Sequence, residues 1–413
     1  MSTNCIMPLL EGLAIPKRLL DVVSWYLMSL MLSTANHSQK FAEKISGKTN
    51  SLFSKLLMRH LGLSTIVLNR AARRRLKKLM KIRKPSVDVS PWTISIIVDS
   101  TLHERSSKNI ENAQKFNHGK GWITGHQWTN IGIAINGQYV PFPPIPFYTK
   151  EECRKRGIKY KTEHDKLVDL FRIFSLENIL GHHDKSEVVV VMDSGYDCKK
   201  LQRSIIKRKW DFVVTLKSDR RISPENGEWW YQVSTYFGDG RRPWKAIRVK
   251  NDGGKRKWRK YATKQLEGHL DGVHKVIKLV CSKRSDGKIK HLACSNPNVD
   301  VKSILITYQG RWAIELFHRA VKSYLGMEDA GVEKFDTLHS HVHWVYCAYI
   351  LLHDLVDDGS SGIKEKQLIL EARIEVANAR KIIKKATLFN GREEVKNYCR
   401  QVIRKLEVRH DCL

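Results

Sequence analysis

Apolar positions divide the chain into stretches of different period. Residues 1 to about 90 carry helical spacing and few glycines or prolines after Pro16. The run from Leu19 to Ala35 is strongly apolar but contains Asp21, Ser24 and Ser29. It is shorter than the ~20 apolar residues a bilayer demands, so it predicts a buried helix. With no targeting or cleavage pattern in view, a cytoplasmic protein without a membrane partner is expected. The pattern changes at Pro91. Thr93–Val98 is a β-branched run ending in Asp99, which predicts a buried strand. Asn130–Ile135 and Gln138–Val140 flank Asn136-Gly137, a strong hairpin signal. His164–Phe174 has helical spacing, and Val188–Met192 is an apolar strand ending in Asp193. A basic helix over Tyr196–Lys209 and a strand over Phe212–Leu216 follow.

That order of elements predicts an α/β fold with a mixed sheet flanked by helices. From about 223 to 296 the segments Trp244–Val249, Lys275–Cys281 and Ile289–Cys294 alternate between turn-rich connections, predicting a β-rich insertion. Helical character returns at Val301 and runs to near Gly326, and the chain beyond Lys364 is helical and basic. The expected organisation is a helical N-terminal region over 1–90 and a core formed by 91–222 with 297–355. The insertion occupies 223–296, and a basic helical C-terminal region occupies 356–413.

Charge narrows the choice of partner. Among 413 residues, 73 Lys and Arg stand against 42 Asp and Glu, a net charge of +31. Such an excess resists compaction unless a polyanion neutralises it. DNA is the leading candidate, because each neutralised phosphate also releases counterions. In the basic stretch Arg70–Lys84, phosphate contact competes with an ordinary solvated helix face. The eight cysteines are scattered without repeated spacing, as expected of reduced thiols rather than a disulfide framework.

The carboxylates carry the chemistry. Asp99 and Asp193 are both expected at carboxyl ends of strands, where open α/β sheets place ligands. At ~4 Å two such charges repel by about 4 kcal/mol at an effective dielectric near 20, so a bound cation would reconcile them. Tyr308, Arg311, Glu315 and Lys322 stand at offsets of 0, 3, 7 and 14. On one continuous helix these offsets fall within an arc of ~60°, with Trp312, Leu316 and Phe317 free to meet the core. A carboxylate between cations suits a metal ligand beside the phosphates that those cations hold.

These residues resemble the DDE transposases of the insertion-sequence-four branch. Asp99-Ser100-Thr101 matches its D-x-T context, Asp193-Ser194-Gly195-Tyr196 its D-x-G-[YF] context, and Tyr308/Arg311/Glu315/Lys322 its Y-x2-R-x3-E-x6-K motif. The resemblance covers roughly residues 90 to 345. It implies an RNase H-like catalytic core in which Asp99, Asp193 and Glu315 hold two Mg²⁺ or Mn²⁺ ions. It further implies cleavage of the terminal inverted repeats of a prokaryotic mobile element, strand transfer into target DNA, and a homodimeric synaptic complex at the nucleoid. Tyr308, Arg311 and Lys322 would grip DNA phosphates. Trp229, Trp230, Trp244 and Trp258 are candidates for stacking on a flipped base, with insertion core as the alternative for each. A nuclease without strand transfer and a catalytically inactive DNA-binding relative are the rival readings.

Other motifs carry less. Ser46-Gly47-Lys48-Thr49 ends like a P-loop, but Ala42 stands where the motif needs glycine, so no nucleotide cofactor is expected. Asp197 reads as helix-dipole chemistry in a first turn. His339, His341 and His343 alternate without an acidic or thiol companion, which argues against a metal site there.

Overall fold

The computed structural model describes residues 7–82, 90–105, 110–117, 121–224, 227–250, 258–356 and 362–388, with Glu393, Asn397, Arg400 and Arg404. Arg83 and Lys84 of the basic stretch lie outside the described residues. The chain divides into two units. One holds residues 76–106 and 112–317, and the other holds 1–75, 107–111 and 318–413.

The first unit contains one sheet of 13 strands. In chain order they are β1 (Ile94–Glu104), β2 (Gln114–Asn117), β3 (Trp122–Ile135), β4 (Gln138–Pro141), β5 (Ile145–Pro146), β6 (Val188–Met192) and β7 (Asp211–Thr215). The later strands are β8 (Arg221–Ser223), β9 (Tyr231–Gln232), β10 (Lys245–Lys250), β11 (Trp258–Leu270), β12 (Val276–Arg284) and β13 (Ile289–Cys294). Their spatial order is β2-β3-β1-β6-β7-β13-β12-β11-β8-β9, with β4 and β5 on β3 and β10 on β11. β1 and β6 are parallel, as are β6 and β7, and the other pairs are antiparallel. This is the expected α/β arrangement, a mixed sheet flanked by helices.

Local chemistry accounts for the central elements. All five residues of β6 are buried, as befits a strand covered on both faces. Asn136 and Gly137 take φ of 51° and 77°, the paired positive values of a two-residue hairpin turn. Below the sheet, Val189, Val191, Val213, Val280 and Leu292 pack with Val301, Ile304 and Leu305 of the helix Val301–Gly310. That contact fixes the helix bearing Tyr308, which itself packs against this core. The strand-rich segment is continuous with the central sheet, because Cys294 of β13 pairs with Val213 of β7.

Two expectations change. β1 does not end at Asp99 but runs on to Glu104. Its parallel pairing with β6 stops at Ile97–Val191, while antiparallel pairing with β3 continues from Asp99–Asn130 to Glu104–Gly125. The apolar run therefore marks only the part flanked by both neighbours. The helical segment after Val301 is also divided, into Val301–Gly310 and Trp312–Ser323.

The second unit is helical. The run Leu19–Ala35 contributes the helix Lys17–Met31, whose Tyr26, Leu27 and Leu30 are buried. A long, almost wholly buried helix, Phe335–Leu355, also lies in this unit. No helix among the described residues is long and apolar enough to cross a membrane. In the helix Leu61–Lys81 the basic residues separate by role. Arg75 is buried against Asp354 at 3.1 Å, whereas Arg73, Lys77, Lys78 and Lys81 are exposed.

Candidate active site

Asp99 stands in the middle of β1, where its Oδ1 accepts from the Ser100 backbone N–H at 2.9 Å. Asp193 follows β6 directly and opens a short 3-10 turn, accepting on Oδ1 from the Gly195 N–H at 2.9 Å. A Cβ at residue 195 would lie 3.0 Å from that same oxygen, which gives a local reason for glycine there. Glu315 sits in the first turn of the helix Trp312–Ser323.

Arg311 joins these elements. It occupies the junction between the two helices, with its N–H directed to Tyr308 and Gln309 carbonyls. Its Nη1 donates to Asp99 Oδ2 at 2.8 Å, and its Nη2 donates to Glu315 Oε1. One planar guanidinium thus bridges two carboxylates distant in sequence, a use for which lysine lacks the geometry. Burial alone lowers the Arg311 pKa, but Asp99, Tyr308, Glu315 and Asp193 outweigh it and hold the group above its usual value.

Asp99 reports the balance of the cluster. Its carboxyl is raised to about 6, chiefly by burial, with Arg311 and the Ser100 N–H opposing and Asp193 and Glu315 adding to the rise. Asp193 and Glu315 thus lie near enough to act on Asp99, three carboxylates around one close guanidinium. Hard oxygen donors in such surplus fit a divalent cation such as Mg²⁺ or Mn²⁺. Among the described residues no three His, Cys, Asp or Glu side chains stand together as a ready metal cage, and Arg311 takes the position between Asp99 and Glu315.

The phosphate-gripping candidates separate. Tyr308 is half-buried beside the cluster, with Lys290 Nζ 3.3 Å from its hydroxyl and 4.9 Å from its ring centre. Lys322 belongs to the helical unit, where it pairs with Glu328 at 2.9 Å. Phe317 is buried as expected, but Trp312 and Leu316 are 52% and 49% exposed rather than in the core.

Residues 167–351 match the transposase DDE domain family. The DDE match takes in Asp193, Tyr308, Arg311, Glu315 and Lys322, while Asp99 precedes it. It supports a nuclease or transposase enzyme of the DNA-cleaving type. No curated protein matches the chain.

Just before the matched segment, the structure adds a residue that the motifs do not mark. Glu163 Oε1 accepts from Tyr196 Oη and from Thr129 Oγ1, both at 2.6 Å. Burial, then Glu163, Asp99 and Asp193, raise the Tyr196 phenol well above its ordinary pKa, so it stays a neutral donor. The sequence signal was present: Thr162 caps the helix Glu163–Ile173, which places Glu163 at its start. Asp197, expected to serve a helix dipole, instead lies buried against Arg220 at 3.4 Å and accepts from Gln202 Nε2 at 2.9 Å.

The tryptophans also depart from the core alternative. Trp229, Trp244 and Trp258 are 63%, 40% and 48% exposed. Lys264 Nζ lies 4.7 Å from the Trp244 ring centre, and the Arg221 guanidinium lies 5.8 Å from that of Trp230. Gly47 of the P-loop-like sequence caps a helix at φ 67°, and Lys48 pairs with Asp21.

Proposed function

We propose that the protein is a transposase of the insertion-sequence-four branch that cuts transposon ends and joins them to target DNA. The observation that carries this reading is the Arg311 bridge from Asp99, in the middle of β1, to Glu315, with Asp193 at the end of β6 acting electrostatically on Asp99. Asp99, Asp193 and Glu315 would hold a pair of Mg²⁺ or Mn²⁺ ions. The chemistry such ions supply is activation of the attacking hydroxyl and stabilisation of charge in an in-line displacement at phosphorus.

The chain's own groups do the rest. Arg311 keeps Asp99 and Glu315 together before DNA arrives, and its guanidinium can then fork onto phosphate oxygens. Tyr308 offers one hydroxyl donor and Lys322 a point charge to the same backbone. Tyr196, held by Glu163, braces the turn that carries Asp193. Trp229, Trp244 and Trp258, which are exposed, and half-buried Trp230 are each a candidate for stacking on an unstacked base. The domain reading is a helical DNA-binding region over 1–90, a catalytic core over 91–222 and 297–355 with its insertion at 223–296, and a basic helical region over 356–413. Two such chains would pair two inverted repeats in a synaptic complex at the nucleoid.

The test is incubation of purified protein with Mg²⁺, an element-end duplex and a plasmid. Cut ends that appear in the plasmid support the proposal. Ends that are cut but never joined identify a nuclease, and no cutting by a folded protein that still binds DNA identifies an inactive relative.

A further inference from the structure

A second concave site lies in the sheet-bearing unit, at the other end of the parallel strands. Asp193 follows the last residue of β6, whereas Lys185 lies shortly before its first residue, and Lys209 and Trp210 lie just before β7. β6 is five residues long, so at about 3.3 Å per residue the two ends stand roughly 17 Å apart. There a cavity of about 280 Å³ is lined by Glu177, Lys185, Lys207, Arg208, Lys209 and Trp210, among others.

Part of this charge has an ordinary cause. Lys207 and Arg208 end the helix Lys199–Lys207, where cations oppose the negative end of the helix dipole. Arg208 is also engaged locally, donating to the Phe174 carbonyl at 2.6 Å with its guanidinium 4.8 Å from the Trp210 ring centre. The dipole does not account for Lys185, which comes from a different segment. Lys209 follows the same helix end in the left-handed capping conformation, φ 60°, a position that glycine or asparagine usually fills, so it shares the dipole's cause while its side chain lines the cavity. A cationic residue held there projects a third ammonium group into the same hollow. Glu177 is the one acid among these lining residues and stands 4.0 Å from Lys185. Four cations therefore face one carboxylate.

We infer that this cavity is a phosphate-binding site that grips the backbone of duplex DNA at the sheet end remote from the carboxylates. The inference rests on the DNA-processing reading above and adds a second contact region to it. Lysine ammonium groups bind phosphate as point charges without reading bases, so the grip is independent of sequence. Trp210 is buried beneath Arg208 and forms a wall of the site rather than a stacking platform.

The test compares wild type with a Lys207→Gln/Lys209→Gly variant, the glycine chosen because it accepts the positive φ. Binding to a long non-specific duplex is measured by fluorescence anisotropy across a salt series. The variant should bind about tenfold more weakly at moderate salt, and the slope of log affinity against log salt should shrink by about two, as for the loss of two phosphate contacts. Unchanged affinity and slope in a variant with wild-type circular dichroism overturns the inference. So does a variant that keeps duplex affinity but loses affinity for a nucleoside triphosphate, since the pocket then serves a free nucleotide. Should the double variant fail to fold, Lys185→Gln replaces it, with a slope change of about one expected and no change overturning the proposal. End cleavage by wild type, assayed in parallel, tests the carboxylate reading separately: no cutting together with pocket-dependent binding rejects that reading and keeps this one.

Discussion

The molecule buries two groups of ionisable side chains and treats them in opposite ways. In the helix Phe335–Leu355, His343 meets burial by remaining neutral, its pKa driven well below the ordinary value by desolvation and by His339. The His339 and His343 rings pack with centres 4.3 Å apart, and His341 Nδ1 meets Tyr26 Oη at 2.7 Å. In the sheet-bearing unit, Asp99 keeps a partner instead: Arg311 opposes the effect of burial, and the surplus of carboxylates persists. A group that sheds its charge stabilises a core, while a cluster that keeps more charge than its protein neutralises is prepared for an external cation or phosphate.

The comparison breaks most visibly under substitution. Asp193→Asn or Glu315→Gln is expected to reduce Mg²⁺-dependent end cleavage on the order of a thousandfold, equivalent to about 4 kcal/mol of barrier. A gel assay of end cutting reads this directly, and near-normal cutting by either variant would remove that residue from the site. Arg311→Lys should lower cleavage by roughly ten- to a hundredfold, since one ammonium cannot span two carboxylates as the fork does.

Acidity sharpens the contrast. The Asp99 carboxyl is raised in the folded chain to about 6, so its protonated form is the one that folding favours. Its contribution to stability is complete below the unfolded value near 4 and is lost as pH rises through about 6. Without divalent ions, thermal stability is expected to fall over that window, by at most about 3 kcal/mol from this group. Mg²⁺ should recover more of the loss at pH 7 than at pH 5, which differential scanning fluorimetry can follow. An equal Mg²⁺ effect at both values would separate the ion from Asp99. The smallest effect is expected among the histidines. Tyr26→Phe removes the hydrogen bond to His341 and should cost about 1 kcal/mol of stability, with cleavage unchanged.

Much of the fold was legible because its strands are short and bounded. Val188–Met192 and Ile289–Cys294 were read residue for residue, and the Asn136-Gly137 turn announced its hairpin. What escaped was information that lives between elements. The continuation of β1 beyond Asp99 depends on β3, not on its own polar sequence. The pairing of β13 with β7, which joins the strand-rich segment to the central sheet, leaves no local mark. For the candidate site, the motifs pointed to Asp99, Asp193 and Glu315 and gave Arg311 to DNA phosphates; the structure shows Arg311 joined instead to Asp99 and Glu315, a link between distant segments that spacing along the chain does not reveal. The exposure of Trp312 and Leu316 was missed, because helical angles alone do not say where neighbouring elements stop.

The break at Arg311 has a mechanical consequence. Asp99 is anchored in a strand whose backbone is paired through that position, so it serves as a fixed jaw. Glu315 stands in the first turn of a second helix that starts after the junction at Arg311, so its placement depends on how the two helices join, and it is the jaw that a change at that junction would move. Any tightening of the carboxylates around cargo would then act through the junction whose arginine latches the jaws at rest.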